Sequence, residues 1–230
     1  MLNPPRLSCV FAALLCVAAV LAGPTAQAQY DSPTIPGPIS DALSHVDIGV
    51  SGVGSITQSS TGPVQNSTQP AANVSIDPSK TVGALITVRY TFKPLVGFEF
   101  NYGYSRYDQK FTGVSGTPGV FGVQNNAKEY TFGYVAQLHQ YFGLTPFVAG
   151  GGGTTAFRPT TNGGQGLLSQ GRATYYYAVG ANTNLGSKHF GLRAQFRQKF
   201  YIAPDFGQNY LTILKHTSTF EPGIGFFIHF

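Results

Sequence analysis

Counting back from Phe230, apolar side chains fall on alternate positions (Phe230, Ile228, Phe226, Ile224), with His229, Phe227 and Gly225 between them. Alternation with a period of two puts successive side chains on opposite faces of a strand. The same period recurs upstream and predicts eight strands, at about residues 45–58, 80–92, 96–106, 128–138, 145–156, 172–185, 190–200 and 215–230. In the second, Val82, Ala84, Ile86, Val88, Tyr90 and Phe92 form one row and Thr87, Arg89 and Thr91 the other. The seventh sets Phe190, Leu192, Ala194 and Phe196 against Arg193, Gln195, Arg197 and Lys199.

The connections alternate in length. Short turns are expected at Lys93-Pro94-Leu95, Phe142-Gly143 and Gly186-Ser187-Lys188, and long polar stretches at about 59–78, 107–127, 157–171 and 201–214. Apolar-out, polar-in strands with short turns at one end and long loops at the other are the signature of a barrel that crosses a membrane. A soluble eight-stranded barrel of the lipocalin kind is the rival reading. It would hide its apolar row inside, and a cavity row holding Arg89, Glu99, Arg193, Arg197 and Glu221 does not suit it. The fold class expected is therefore all-β: an eight-stranded antiparallel transmembrane β-barrel, an up-and-down meander.

Composition adds the compartment. Residues 1–28 read as a secretory signal peptide: Arg6 precedes an apolar run from Val10 to Ala22, and Ala26-Gln27-Ala28 makes an A-x-A cleavage site. The run is shorter than the roughly 20 residues a spanning helix needs. Residues 29–44, with three prolines, read as a periplasmic linker, and 45–230 as the barrel. Cys9 and Cys16 both lie in the leader, so disulfides, a thiol nucleophile and a cysteine metal site are excluded from the mature chain. Only 10% of residues are charged, while 13 tyrosines and 18 phenylalanines supply interfacial aromatics. Neither a cofactor nor a nucleic-acid partner is expected.

The closing strand resembles that of the small bacterial outer-membrane β-barrel domain family of the OmpA, OmpX and Opa type. Phe230 matches its terminal aromatic, Ile228 its apolar residue two before, and Gly225 its glycine five before; Gly223 stands where that family has a polar residue. The resemblance implies the outer membrane of a Gram-negative cell, with its lipid and lipopolysaccharide as surroundings. It also implies assembly machinery that reads the C-terminal strand. No peptidoglycan-binding domain is expected after the barrel.

Parity places Asp47, Arg89, Glu99, Arg193, Arg197, Lys199 and Glu221 inside. Eight strands enclose room for side chains only, so a closed, ion-paired lumen is expected; a small-solute channel is the alternative. Lys80, Arg106, Lys110, Lys128, Arg158, Arg172 and Lys215 fall at the cell-facing end, against Asp77, Asp108 and Asp205. This basic rim suits lipopolysaccharide phosphates, although snorkelling and loop solubility place cations there equally well. Adhesion to an extracellular ligand through the same loops is a separate expectation.

His45, His189 and His229, with inward parity near the periplasmic end, could hold a divalent metal, or simply meet water at the rim. His216-Thr217-Ser218 resembles the His-x-Ser of outer-membrane lipid A deacylases, but Glu221 has the wrong parity to orient the base and Thr219 replaces that family's asparagine. A non-enzymatic structural or surface-interaction protein is therefore expected. The Gly150–Gly153 run reads as strand packing rather than a phosphate loop, and Asn66-Ser67-Thr68 and Asn73-Val74-Ser75 are glycosylation triplets without meaning in a Gram-negative host.

Overall fold

The computed structural model describes residues 42–64, 73–93, 95–114, 119–187 and 189–230, all within one compact unit. The expected leader, the linker as far as residue 41, the triplet at Asn66, and Pro94 and Lys188 lie outside the described residues.

The strands are β1 (Val46–Thr57), β2 (Ser60–Pro63), β3 (Asn73–Pro78), β4 (Thr81–Lys93), β5 (Val96–Thr112), β6 (Val120–Gln137), β7 (Leu144–Pro159), β8 (Gln170–Ser187), β9 (Phe190–Ile202) and β10 (His216–His229). Each wall strand pairs antiparallel with its neighbours in the order β1, β4, β5, β6, β7, β8, β9, β10, and β10 returns to β1 with Ile48 opposite Ile228. The result is a closed eight-stranded barrel. Closure removes the sheet edges, and within a bilayer this lets every backbone amide find a partner. The short turns are two-residue: Lys93 pairs with Val96, Tyr141 with Leu144, and Ser187 with Phe190.

Burial alternates along the wall. On β1 the residues Asp47, Gly49, Ser51, Val53, Ser55 and Thr57 are buried, and Ile48, Val50 and Ile56 are exposed. On β5 the outward apolar row runs over Val96, Phe98, Phe100, Tyr102 and Tyr104, then changes at Arg106. Nine residues from 96 to 104 match the roughly 9–11 that a tilted strand needs to cross the hydrocarbon.

Above that level the structure departs from the expected loops. The first long connection, expected to be irregular, contains a hairpin of β2 and β3, and β3 pairs with the upper end of β5. The second was expected over 107–127, yet β5 continues to Thr112 and β6 begins at Val120, paired throughout. Alternation persists there with its sense reversed: Tyr107, Gln109 and Phe111 point inward, while Arg106, Asp108 and Lys110 point outward. The reason is the solvent. Beyond the bilayer the outer face meets water, so apolar side chains turn inward as in any soluble domain. Val74, Ile76, Phe111, Val123, Phe157 and Phe206 are among those that form an apolar core over the barrel mouth.

Glycine is required at facing inward positions of β6 and β7. A Cβ at Gly133 would collide with the Gly150 carbonyl and the Tyr176 hydroxyl, and one at Gly151 with the Phe132 carbonyl. The glycine run thus lets the strand backbones close up and leaves Tyr176 room inside.

Candidate functional site

The lumen is filled in two charged layers. In the lower, Asp47, Arg89 and Glu99 stand in register across β1, β4 and β5. Arg89 Nε donates to Glu99 Oε2 at 2.9 Å, and Arg193 Nη2 reaches Asp47 Oδ1 at 2.7 Å from β9. The guanidinium of Arg89 lies 4.0 Å from the centroid of the Phe147 ring, and that of Arg193 lies 5.1 Å from Phe227. Arg193 Nε also donates to Asn182 Oδ1 at 2.9 Å. Aromatic faces and amide oxygens take the sides of each cation that its carboxylate does not.

The upper layer joins opposite walls. Arg197 and Lys199 on β9 both contact Glu129 on β6 and Glu221 on β10, with Arg197 Nη1 at 3.0 Å from Glu221 and Lys199 Nζ at 2.6 Å. Arg197 lies 4.3 Å over the Tyr176 ring. The Tyr176 hydroxyl donates to Glu99 Oε1 at 2.8 Å and so ties the two layers together, while Asn101 Nδ2 donates to the same oxygen at 3.0 Å. Arg89, Arg193 and Arg197 are each 1% exposed. Four cations therefore meet four carboxylates, a neutral set in which no ion is left alone.

Above these layers lies a belt of hydroxyls. Ser55 bonds Tyr107 at 2.6 Å, Thr57 bonds Thr219 at 2.8 Å, and Tyr201 bonds Thr219 at 3.0 Å. The apolar core of the cap follows. All seven side chains expected in the lumen are buried. Glu129, Tyr176, Phe147 and Phe227 belong to the same assembly although they were not singled out. Glu129 has the inward parity of Thr131 and lies at the second position of the strand expected from about residue 128. The three aromatics sit on a face where polar residues were expected.

The basic rim divides. Lys80, Arg106, Lys110, Lys128 and Arg158 have outward parity on strands or strand ends. Arg172 does not belong with them: its parity is inward, and its Nη2 pairs with Asp205 Oδ2 at 2.9 Å. The Lys215 stem lies over Gly62. Asp205 also accepts from Gln170 Nε2 at 2.5 Å, the Gly207 amide at 3.0 Å and Thr212 Oγ1 at 3.0 Å. Partial burial pushes its carboxyl up, but those donors and the Arg172 charge outweigh it and hold the group below the ordinary 3.8.

The remaining candidates separate. His45 and His229 line an open cavity of about 280 Å³ at the lower mouth together with Asp47, Thr91 and Asn182. His189 Nδ1 instead bonds the His229 carbonyl at 3.0 Å. Among the described residues no three His, Cys, Asp or Glu side chains gather to hold a metal ion, although Asp47 stands opposite His229. Ser218 Oγ donates to Gln58 Oε1 at 2.8 Å rather than to His216, and Glu221 is committed to the lumen. At the C-terminus Ile228 and Phe230 face outward, while Gly225 packs against Ser51 and the Val50 carbonyl.

No curated protein gives a significant sequence match. Among solved structures, the outer membrane protein OprG from Pseudomonas aeruginosa superposes with a TM-score of 0.56 at 14% identity, covering 81% of this chain and 96% of that one. Neisserial surface protein A gives 0.48 at 12% identity over 81% and 97% of the two chains. Ail of Yersinia pestis, in complex with the heparin analogue sucrose octasulfate, gives 0.44 at 14% identity over 79% and 97%. At these identities the likeness to OprG speaks for the fold. The family model described as outer membrane protein beta-barrel domain matches residues 12–221. With the closed barrel and its apolar outer band, that match places the protein in the outer membrane, and the chain belongs to the outer membrane protein β-barrel domain family.

Proposed function

We propose that the protein is a non-enzymatic outer-membrane barrel with a closed lumen, acting as a structural element and presenting its cell-facing cap for surface interactions. The observation that carries this reading is the set of links crossing the axis: Glu129 on β6 to Arg197 and Lys199 on β9, and Glu99 on β5 to Tyr176 on β8. An apolar core stands in series above them. Ions passing along the axis would have to break buried pairs and then cross a dry layer, and both steps are expensive. Full-length protein reconstituted in planar bilayers should therefore show no stable single-channel conductance. A large, long-lived conductance would establish the small-solute channel reading, which draws support from the open cavity at the lower mouth.

The hydrolase reading is weaker still. A nucleophilic serine needs a base within hydrogen-bond reach and an acid behind that base, whereas Ser218 is bonded to Gln58. At the other end of the life cycle, Gly225, Ile228 and Phe230 are proposed as the segment that the barrel assembly machinery reads. Removal of Phe230 should lower the yield of membrane-inserted protein while leaving the unfolded precursor abundant.

A further inference from the structure

The outward face of β5, β6 and β7 carries a cationic row that no ion pair among the described residues neutralises. Asn126 on β6 stands opposite Arg106 on β5 and opposite Arg158 on β7, so the three lie in one line across three strands. Strands about 4.8 Å apart set the two arginine Cα atoms about 10 Å from each other. Lys128 sits two residues lower on β6, between Tyr104 and Ala156. None of the three takes part in any ion pair among the described residues. Lys110, by contrast, stands opposite Asp77. Along β5 the carboxylate next to the row is Asp108, two residues above Arg106.

Two features argue against a merely solvated rim. The first is placement. The row stands immediately above the aromatic belt, and the Tyr104 hydroxyl donates to Asn126 Oδ1 at 3.1 Å, at the level where headgroups begin. Arg106 is also held toward β6 by the bond from its Nη2 to Gln124 Oε1 at 2.5 Å. The second is asymmetry. On the far side of the barrel the outward positions at the membrane edge are Phe200 and Ile202 on β9, Phe220 on β10 and Ile56 on β1, and beside them the exposed cation Lys215 lays its stem over Gly62. Three cations in one line on the β5–β7 flank contrast with that single lysine.

The same flank offers a trough for a chain. Below Arg158 the outward positions of β7 are Ala156, Thr154, Gly152 and Gly150. Phe132 and Tyr175 flank Gly152, and Tyr134 and Tyr177 flank Gly150. These aromatic walls are exposed.

We infer that Arg106, Lys128 and Arg158 form a binding site for a phosphorylated glycolipid of the outer leaflet, with its phosphate in the cationic row and an acyl chain in the trough over β7. Arginine and lysine hold phosphate oxygens through charge-assisted hydrogen bonds, and a pair of guanidiniums flanking one ammonium supplies donors from three sides. The site rests on the cell-facing orientation of the reading above but not on whether the lumen conducts.

The test uses full-length protein in nanodiscs with bis-phosphorylated lipid A. Folding of each variant is first checked by heat-dependent gel migration. Combined Arg106→Gln, Lys128→Gln and Arg158→Gln should reduce retained lipid A by about tenfold, the scale of losing charge-assisted phosphate contacts. Combined Lys80→Gln, Lys110→Gln and Lys215→Gln, of equal charge change, should leave it near wild type. Dephosphorylated lipid A should bind wild type as weakly as the first variant binds the phosphorylated form. Equal retention by the two variants would overturn the site, as would displacement of lipid A by millimolar inorganic phosphate. If the triple variant fails to fold, Arg158→Gln alone, at an exposed position, should still weaken retention severalfold, and an unchanged value would count against the proposal. Conductance recorded on the same preparations separates this outcome from the closed-barrel reading.

Discussion

Arg197 shows how a fully buried guanidinium is tolerated: Glu129 and Glu221 take its donors and the Tyr176 ring covers one face. Removing one member of such a set is worse than removing a matched pair, because the survivor stays buried without its counter-charge. Glu129 serves both Arg197 and Lys199, so Glu129→Gln should cost about 3–5 kcal/mol in urea-induced unfolding from lipid vesicles. Adding Lys199→Met restores charge balance, with Arg197 left to Glu221, and should recover more than half of that loss. A single substitution costing no more than about 1 kcal/mol would mean that water or a neighbour already compensates these charges. Parity alone brings seven of the eight charged lumen residues to light. It does not bring out the aromatic partners Phe147, Tyr176 and Phe227, which violate the polar-inside rule. They are inside because a guanidinium needs a weakly polar face on the sides its carboxylate does not cover.

Among the connections, the tight turn between β6 and β7 and the segment after β9 illustrate opposite ways of holding strained backbone. Phe142 has φ 48° and Gly143 φ 78°, the left-handed pair of a type I′ hairpin turn, and the Phe142 side chain is fully exposed. Asn-Gly is the favoured pair for that geometry. Phe142→Asn should therefore raise stability by about 0.5–1 kcal/mol, read as a higher urea midpoint in vesicles; a lower midpoint would show that the ring anchors the turn in the interface instead. Phe206 also has a positive φ, 52°, but it is fully buried in the cap, and its amide and that of Asp205 both donate to Gln170 Oε1. Asp205 secures the same segment through Arg172, Thr212 and the Gly207 amide. Because its folded carboxyl lies below 3.8, the stabilisation it lends is complete above that pH and is lost as pH falls through the lower folded value. Hydrogen exchange over residues 203–215 should accelerate below about pH 3.8 in wild type. In Asp205→Asn it should already be fast at neutral pH, with no further acid step. This lock was not legible in advance, since Asp205 lies 33 residues from Arg172 in a stretch without periodicity. The wall strands were legible as far as the bilayer extends. At Arg106 the outward row turns polar, and a reading that looks for apolar residues on the outside ends the strand there although its pairing continues to Thr112.

Taken together, the strands carry two cores of opposite polarity in one continuous barrel. Between the aromatic rows the outside is apolar and the inside is ionic; in the cap the outside is charged and the inside is apolar. Each core closes the axis by different physics, and the two stand in series. Phe111 and Phe157, both fully buried in the cap, can be cut to alanine at about 3–5 kcal/mol each to the local packing. That change should raise hydrogen exchange in β2, β3 and the upper ends of β5 and β7 while leaving the lower strands protected, because their stability comes from the bilayer and from closed pairing. It should not produce conductance, since Glu129, Glu221, Arg197 and Lys199 still span the lumen below. Replacing those four together with Asp47, Arg89, Glu99 and Arg193 by serine removes equal numbers of positive and negative charges in both layers and leaves a polar passage, yet ions should still stop at the dry cap. Only the two changes combined should give stable single-channel events in planar bilayers. If the cap variant alone conducts, the ionic layer is not a barrier; if the serine variant alone conducts, the cap is open to ions along a path beside its apolar core. Either result would replace the series arrangement with a single gate at the other layer.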